Sequence, residues 1–373
     1  MNVKVVLTLI LLSITSYKVC AINVTYIADT NRYTPFWQNV HDIAHAAAQD
    51  LDINLTFIQG KGHRLLQDKI IEKIVNAENK PDLLIFMAHQ RSAFKNFTLL
   101  EQAKIPFVTL SNFSYNDNSI HQEKIAYPQE EFKYWLGEHY DNHFQGAYLL
   151  MDYLISRSKQ SKPKNTLIKA LSINGDFASQ SLEKSAGLTH KINSDEQTII
   201  VQDIVAQWDY AKAKSHFKSL YQRHKGIDIV LAASDHMAVA AIEGAKELGL
   251  KPNKDIFIGG FDWERRAFRE IKQEQLTASA GGHIFSAAWL LVKVYDHFHN
   301  KVVFHPGVQS PSTEFSLINI NNLNSMEEIT YQNNFSHLNF YCFSRTFTQQ
   351  KDYNFSINDL IVQLSKQSNH SCH

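Results

Sequence analysis

The chain has 373 residues, 44% of them apolar, enough to build two ordinary domains with a sizeable core in each. Its 37 Lys and Arg are matched by 37 Asp and Glu, which excludes the basic footprint of a nucleic-acid binder and any broad attraction to an anionic membrane surface. With 23 Phe and 15 Tyr, any binding cleft is expected to be rich in aromatic side chains.

At the start, Lys4 precedes an apolar run over 5–14, and Val19-Cys20-Ala21 is a small-residue exit. Together they read as a secretory signal over residues 1–21, cleaved after Ala21. The run is too short to span a bilayer comfortably, and the charge at Lys18 does not suit lipidation at Cys20. Cys342 and Cys372 then remain, either as a disulfide formed in an oxidising compartment or as two free thiols. The β-branched run 24–28 predicts a strand, and 36–51 a helix with Phe36, Val40, Ile43, Ala47 and Leu51 on one stripe. A strand over 55–58, a helix over 65–77 and strands over 83–87 and 107–110 follow. This β-α-β order predicts a parallel sheet with helices on both faces.

The polar stretch 111–132 reads as a connection between domains. Beyond it the alternation resumes, with strands over 134–136, 168–173, 198–205, 227–232, 256–261 and 276–280. Helices are predicted over 144–156, 182–192, 210–224, 237–248, 265–271 and 284–298. The fold class is therefore α/β, two doubly wound parallel-sheet lobes with a crevice between the carboxyl ends of their strands. From about Asn324 the chain is polar and aromatic, and no periodicity assigns it to either lobe.

Motifs for covalent or cofactor chemistry are missing. Phosphate loops need glycine-rich turns that let backbone N–H groups approach, and neither G-x-x-x-x-G-K-[ST] nor G-x-G-x-x-G occurs. The G-x-S-x-G elbow and C-x-x-C are absent too. His41 and His45 have the i, i+4 spacing that lets two imidazoles meet one metal. However, Asp42 stands where a metalloprotease carries Glu, and no third ligand is evident nearby. His139 and His143 repeat the spacing with the same bland reading. No metal and no cofactor are expected. The seven N-x-[ST] sequons, from Asn23 to Asn369, would matter only in a eukaryotic secretory pathway.

Five segments that follow strands are expected to face the crevice. Thr34-Pro35-Phe36-Trp37 opens the first helix, with Pro35 suited to its first turn. Phe36 is either core or site, because it lies on the apolar stripe; Trp37 lies off the stripe and is assigned to the site. Ser111-Asn112 ends the fourth strand. Ser234-Asp235 starts a helix and Gly259-Gly260-Phe261-Asp262-Trp263 ends a strand, so Asp235 and Asp262 are either helix caps or ligand contacts. Gly281-Gly282-His283 marks the return to the first lobe.

On these residues the chain resembles the type I periplasmic binding proteins, the ribose- and galactose-binding group of sugar-transporter receptors, over about residues 22–310. Pro35-Phe36-Trp37 is similar to the family's aromatic pair. Leu231-Ala232-Ala233-Ser234-Asp235-His236-Met237-Ala238 is similar to its "ND-x-MA-x-GA" segment, and Ile258-Gly259-Gly260-Phe261-Asp262 to its "V-x-GFD" strand. The stretch from Trp263 through Gly281-Gly282-His283 to Trp289 resembles a branch that reads roughly "GG-x-DW…GGH…W". The resemblance implies lobes joined by a multi-strand hinge: a first over 22–112 plus 283–310, a second over 113–282 plus 311–323, and an extension over 324–373.

It also implies roles. Phe36 and Trp37 would stack on the ligand. Ser111 and Asn112 stand where sugar binders carry an Asp-Arg pair, Asn142 follows the crossover, and Lys184 stands where an Arg reaches the ligand. Trp208 would be a second-lobe aromatic, Ser234 replaces the usual Asn, and Asp262 matches the hydroxyl-binding Asp. Asp235, Trp263 and His283 complete the expected ligand set. The replaced residues remove strong hydrogen bonds to pyranose hydroxyls, which argues against ordinary ribose, galactose or glucose. The implied protein is a periplasmic, monomeric, non-enzymatic receptor. It would close on a small sugar-like ligand and present it to the permease of an ABC transporter. The alternatives are a receptor coupled to a membrane signalling protein and, third, a secreted hydrolase using Asp262 with His283.

Overall fold

The computed structural model describes residues 21–28, 34–60, 64–110, 127–306, 310–311, 314–331, 335, 338–353 and 355–366. Residues 1–20 of the expected signal, Ser111, Asn112 and Cys372 lie outside them.

The first lobe begins with β1 (Ile22–Ala28), α1 (Pro35–Asp50), β2 (Ile53–Gln59), α2 (Arg64–Val75), β3 (Leu83–Phe86), α3 (Gln90–Ala103), β4 (Phe107–Thr109) and β5 (Trp135–Tyr140). The second holds α4 (His143–Ser161), β6 (Ile168–Asn174), α5 (Ser179–Asn193), β7 (Thr198–Val205), α6 (Tyr210–His224) and β8 (Ile229–Ala232). It continues through α7 (Asp235–Glu247), β9 (Phe257–Phe261), α8 (Arg265–Lys272) and β10 (Ala278–Gly281). The chain then returns through α9 (Ser286–Phe298) and β11 (Ser310–Pro311) to the first lobe, and through β12 (Ser316–Ile318) to the second. α10 (Leu323–Tyr331), α11 (Arg345–Thr348) and α12 (Ile357–Lys366) form the C-terminal segment.

Each lobe is built on a six-stranded sheet, in the orders β11-β5-β4-β3-β1-β2 and β12-β10-β9-β8-β6-β7. All pairings are parallel except β10 with β12. Both sheets contain the doubly wound order in which the strand sequence reverses, and such a reversal opens a crevice at the carboxyl ends of the strands. β3, β4, β8 and β9 are buried along their whole length, because helices cover both faces.

Two expectations need correction. No helix was expected between the third and fourth strands, yet α3 fills that space. Its buried face carries Ala93, Phe97 and Leu100, but also Ser92 and Asn96, which donate to the buried Asp68 of α2 at 3.0 Å each. Polar residues on the inner face hide the apolar stripe. The lobe boundary also moves. β5 falls in the stretch assigned to the second lobe, but it pairs with β4 and extends the first sheet. The first crossing therefore follows Tyr140, and the polar stretch 111–132 leads back into the lobe it left. Pro311 also pairs within the first sheet, beside Tyr140.

The C-terminal segment is a built part of the molecule. Trp289 of α9 is fully buried among Phe285, Phe340, Phe343 and Phe355, its ring 4.8 Å from Phe355 and parallel to it. The buried Asp296 accepts from the backbone N–H groups of Arg345 and Thr346 at 2.6 and 2.9 Å. It also accepts from the Thr346 and Tyr353 hydroxyls at 2.6 and 2.9 Å. Asp50 at the end of α1 receives the Phe340 N–H at 2.7 Å. Cys342 is disulfide-bonded to a partner outside the described residues.

Candidate functional site

Five strands of the second sheet end on one rim, and a polar or aromatic residue follows each: Asp176 after β6, Trp208 after β7, Ser234 after β8, Asp262 after β9 and His283 after β10. Trp208 is locked in place. Gln207 and Trp208 both take positive φ, 56° and 55°, a conformation that costs a non-glycine residue about 1–3 kcal/mol unless its surroundings fix it. The turn lays the indole on Gly175, where a Cβ would lie only 2.1 Å from the ring. Indole Nε1 donates to Asp176 Oδ2 at 2.9 Å, and Asp176 Oδ1 is itself held by the Ser181 hydroxyl and the Ala178 N–H. Behind this wall, Lys184 Nζ donates to the Ala233 carbonyl at 2.9 Å. It lies 5.3 Å from the Trp208 ring and 4.5 Å from that of Phe261. Burial pushes the Lys184 ammonium below its usual range, against the pull of Asp262 and Asp176.

The next turn is also strained. Asp262 and Trp263 have φ of 101° and 55°. Asp262 N–H donates to the Ala280 carbonyl, and the Trp263 indole donates to Ser279 O at 3.1 Å. The indole packs on Gly281, where a Cβ would meet it at 2.4 Å. So held, the Asp262 carboxylate meets His283 Nε2 at 3.2 Å. His283 belongs to an aromatic column. Its ring lies 5.0 Å from Phe36, 4.9 Å from Phe315 and 5.5 Å from His143.

From the first lobe, Thr34 caps α1 by accepting from Trp37 N–H, and Pro35 occupies the first helical turn. This start aims Phe36 at His283, with Trp37 edge-on at 5.4 Å. At the first crossing Asp141 accepts from the Ser286 hydroxyl, linking the β5–α4 connection to the start of α9. Burial raises the Asp141 pKa. Burial also holds His143 well below the usual imidazole range, helped by Lys184 and His283. Across the crevice Gln180 Nε2 touches Met87 Sδ at 3.5 Å, so the lobes meet on this side.

Phe36, Trp37, His283 and Asp262 thus form one contact chain, and Trp208 stands on the same rim of the second sheet. Other expected residues serve the scaffold. Ser234 is the N-cap of α7, its hydroxyl accepting from Met237 N–H at 3.2 Å. Asp235 is not that cap. It is fully buried against Gly260, and one carboxylate oxygen accepts from Glu264 N–H and the Ser279 hydroxyl. Burial, then Asp262 and Glu264, drive its pKa well up. Trp263 is core. Asn142 caps α4 by accepting from Gln145 N–H at 2.9 Å. Lys184 backs the tryptophan wall, and 3% of it is exposed. Asp141, His143, Asp176 and Phe315 were not expected; their position after a strand or beside a crossing was the available signal. His41 and His45 lie 4.3 Å apart between ring centroids, with His41 Nδ1 on Asp42. Among the described residues no group of three such side chains is placed to hold a metal ion, and no helix is long and apolar enough to cross a membrane.

Comparison with known proteins bears on this geometry. The model of the periplasmic binding protein domain matches residues 26–298. The ribose import binding protein RbsB of Bacillus subtilis is 33% identical over 102 residues, which cover 27% of this chain and 32% of that protein. The galactofuranose-binding protein YtfQ of Escherichia coli is 27% identical over 142 residues, 37% of this chain and 43% of that protein. The matches thus span less than half of either relative. A periplasmic sugar-binding protein from Pseudomonas fluorescens superposes over 91% of this chain and 99% of its own, with a TM-score of 0.79 at 19% identity, a likeness of fold.

Proposed function

The chain belongs to the periplasmic binding protein family, and on that footing we propose that it is an exported periplasmic receptor that closes on one small sugar-like molecule and presents it to an ABC transporter permease. The observation that carries the reading is the pairing of aromatic surfaces with a carboxylate at one crevice: Trp208 from the second lobe, Phe36 and Trp37 from the first, and Asp262 held against His283. Aromatic faces pack on the C–H face of a sugar ring, and a carboxylate accepts strongly from its hydroxyls. The matched relatives are named for ribose and galactofuranose, which supports that ligand class. Closure follows from the hinge, since a ligand touching both lobes binds the closed state better and draws the equilibrium toward it.

Thermal denaturation with a panel of pentoses, hexofuranosides and polyols tests the reading. A ligand at a hundred times its Kd is expected to stabilise the folded chain by about 2.7 kcal/mol. That gain should disappear in Trp208→Ala and Asp262→Asn. A panel without any stabilising polyhydroxy compound overturns the ligand class.

A second reading has one observation in its favour, the 3.2 Å contact of Asp262 with His283, which has the form of an acid–base pair. Recovering the bound sugar unaltered supports the receptor, and release of a hydrolysed product supports the hydrolase.

A further inference from the structure

The C-terminal segment crosses between the lobes a fourth time, outside the three hinge connections. β12 leaves it on the second lobe, where α10 packs against α8, with the Tyr331 ring 5.1 Å from Phe268 and edge-on to it. The Arg265 guanidinium lies 4.3 Å from the centre of the same ring. Phe340 is already on the first lobe, against Trp289 and Asp50. The residues matched by the family model end at 298, before this segment.

At the crossing sits one phenol with a partner on each lobe. Tyr331 Oη accepts from Asn39 Nδ2 of α1 at 3.1 Å and donates to the Trp263 carbonyl. Asn39 lies one turn into the helix that begins with Phe36 and Trp37. Trp263 belongs to the left-handed turn that presents Asp262. Burial pushes the Tyr331 pKa far above the range of any physiological buffer, so the hydroxyl keeps the proton it donates. A single phenol thus ties α1 of the first lobe directly to the Asp262 turn of the second.

We propose that Tyr331 is a positioning residue for the binding site: through Asn39 and the Trp263 carbonyl it latches the Asp262 turn to the first-lobe helix, favouring the closed arrangement and slowing ligand release. The effect on release rests on the receptor reading above; the effect on lobe arrangement does not. Opening the lobes would separate Asn39 from Trp263, so the phenol could keep only one of its partners.

The test compares the wild type with Tyr331→Phe, Asn39→Ala and the double variant, all as the full mature chain. Phenylalanine keeps the ring against Phe268 and Arg265 and removes only the hydroxyl. Small-angle X-ray scattering of the ligand-free proteins is expected to show a larger radius of gyration for Tyr331→Phe. Stopped-flow measurements with D-ribose and methyl galactofuranoside are expected to show dissociation faster by about threefold to tenfold, the usual effect of one hydrogen bond. Association should change little. Asn39→Ala should add almost nothing on the Tyr331→Phe background, since both act through one hydroxyl. An unchanged radius, or additive effects of the two substitutions, overturns the latch. If neither sugar binds the wild type, the dissociation measurement moves to whichever compound of the panel stabilises the chain, while the scattering comparison still decides the latch.

Discussion

At the scale of single residues, the candidate site depends on a glycine that lies beneath its tryptophan wall. Gly175 has no room for a Cβ beneath Trp208. Gly175→Ala is therefore expected to tip the indole off its platform and break its bond to Asp176, abolishing ligand-induced stabilisation while circular dichroism stays native. Retained binding would show that the wall is not part of the site. Glu264 gives a pH signature. It titrates near 4.5 when unfolded and about 8 when folded, mainly through burial and then through Asp262. Between those values the folded chain holds a proton that the unfolded chain has released, so stability falls as pH rises from about 4.5 to about 8. At about 1.4 kcal/mol per pKa unit, the effect is a few kcal/mol. Glu264→Gln should flatten the fall in melting temperature between pH 5 and pH 8; an unaltered slope would assign it to other groups. Of the candidate site, Pro35-Phe36-Trp37, Asp262 and His283 could be named from the sequence because each follows a strand, and the structure brings Phe36 and Asp262 to His283. Asp235 and Ser234 share that position, and only packing separates a ligand contact from a cap. Asp176 was hidden because its work is to hold Trp208, a partner 32 residues away.

Elements read well where their buried face is purely apolar. α1 buries Val40, Ile43, Ala44, Ala47 and Ala48, and its periodicity was plain. α3 mixes Ser92 and Asn96 into its inner face to satisfy Asp68, so its pattern looks like a loop. The C-terminal segment was illegible for a related reason: its elements are short, and its aromatic residues dock singly around Trp289 instead of along a stripe. Asp296 is the anchor of that segment. Hydrogen bonds to a charged acceptor contribute about 1.5–3 kcal/mol each, so Asp296→Ala is expected to cost roughly 3 kcal/mol or more in urea denaturation. Dissociation of the segment should then appear as faster proteolysis near residues 345–353. Full resistance would show that the aromatic contacts hold it alone.

For the whole molecule, β-α alternation was enough to predict two parallel-sheet lobes, because each strand needs helices on both faces. The boundary was misread because a polar stretch marks an exposed connection without saying which lobe the chain enters next; only the pairing of β5 with β4 decides it. The disulfide at Cys342 acts on the same scale. Reduction should lower the melting temperature, by the equivalent of about 2–4 kcal/mol for a closed loop of ordinary length. An unchanged melting temperature would show that the bond restrains only the terminal residues.

The path of the chain also governs how the molecule comes into being. From His143 to Gly281 the second lobe is one unbroken stretch that lacks only its edge strand β12, whereas the first lobe still needs α9 and β11, which arrive after that stretch. α1 cannot bury its face against α9 until then. A chain made from its N-terminus therefore assembles five strands of its second sheet while the first lobe still lacks α9 and β11, an interval in which the apolar face of α1 stays uncovered. Neither half is finished until the chain has passed back through both, β11 closing the first sheet and β12 the second.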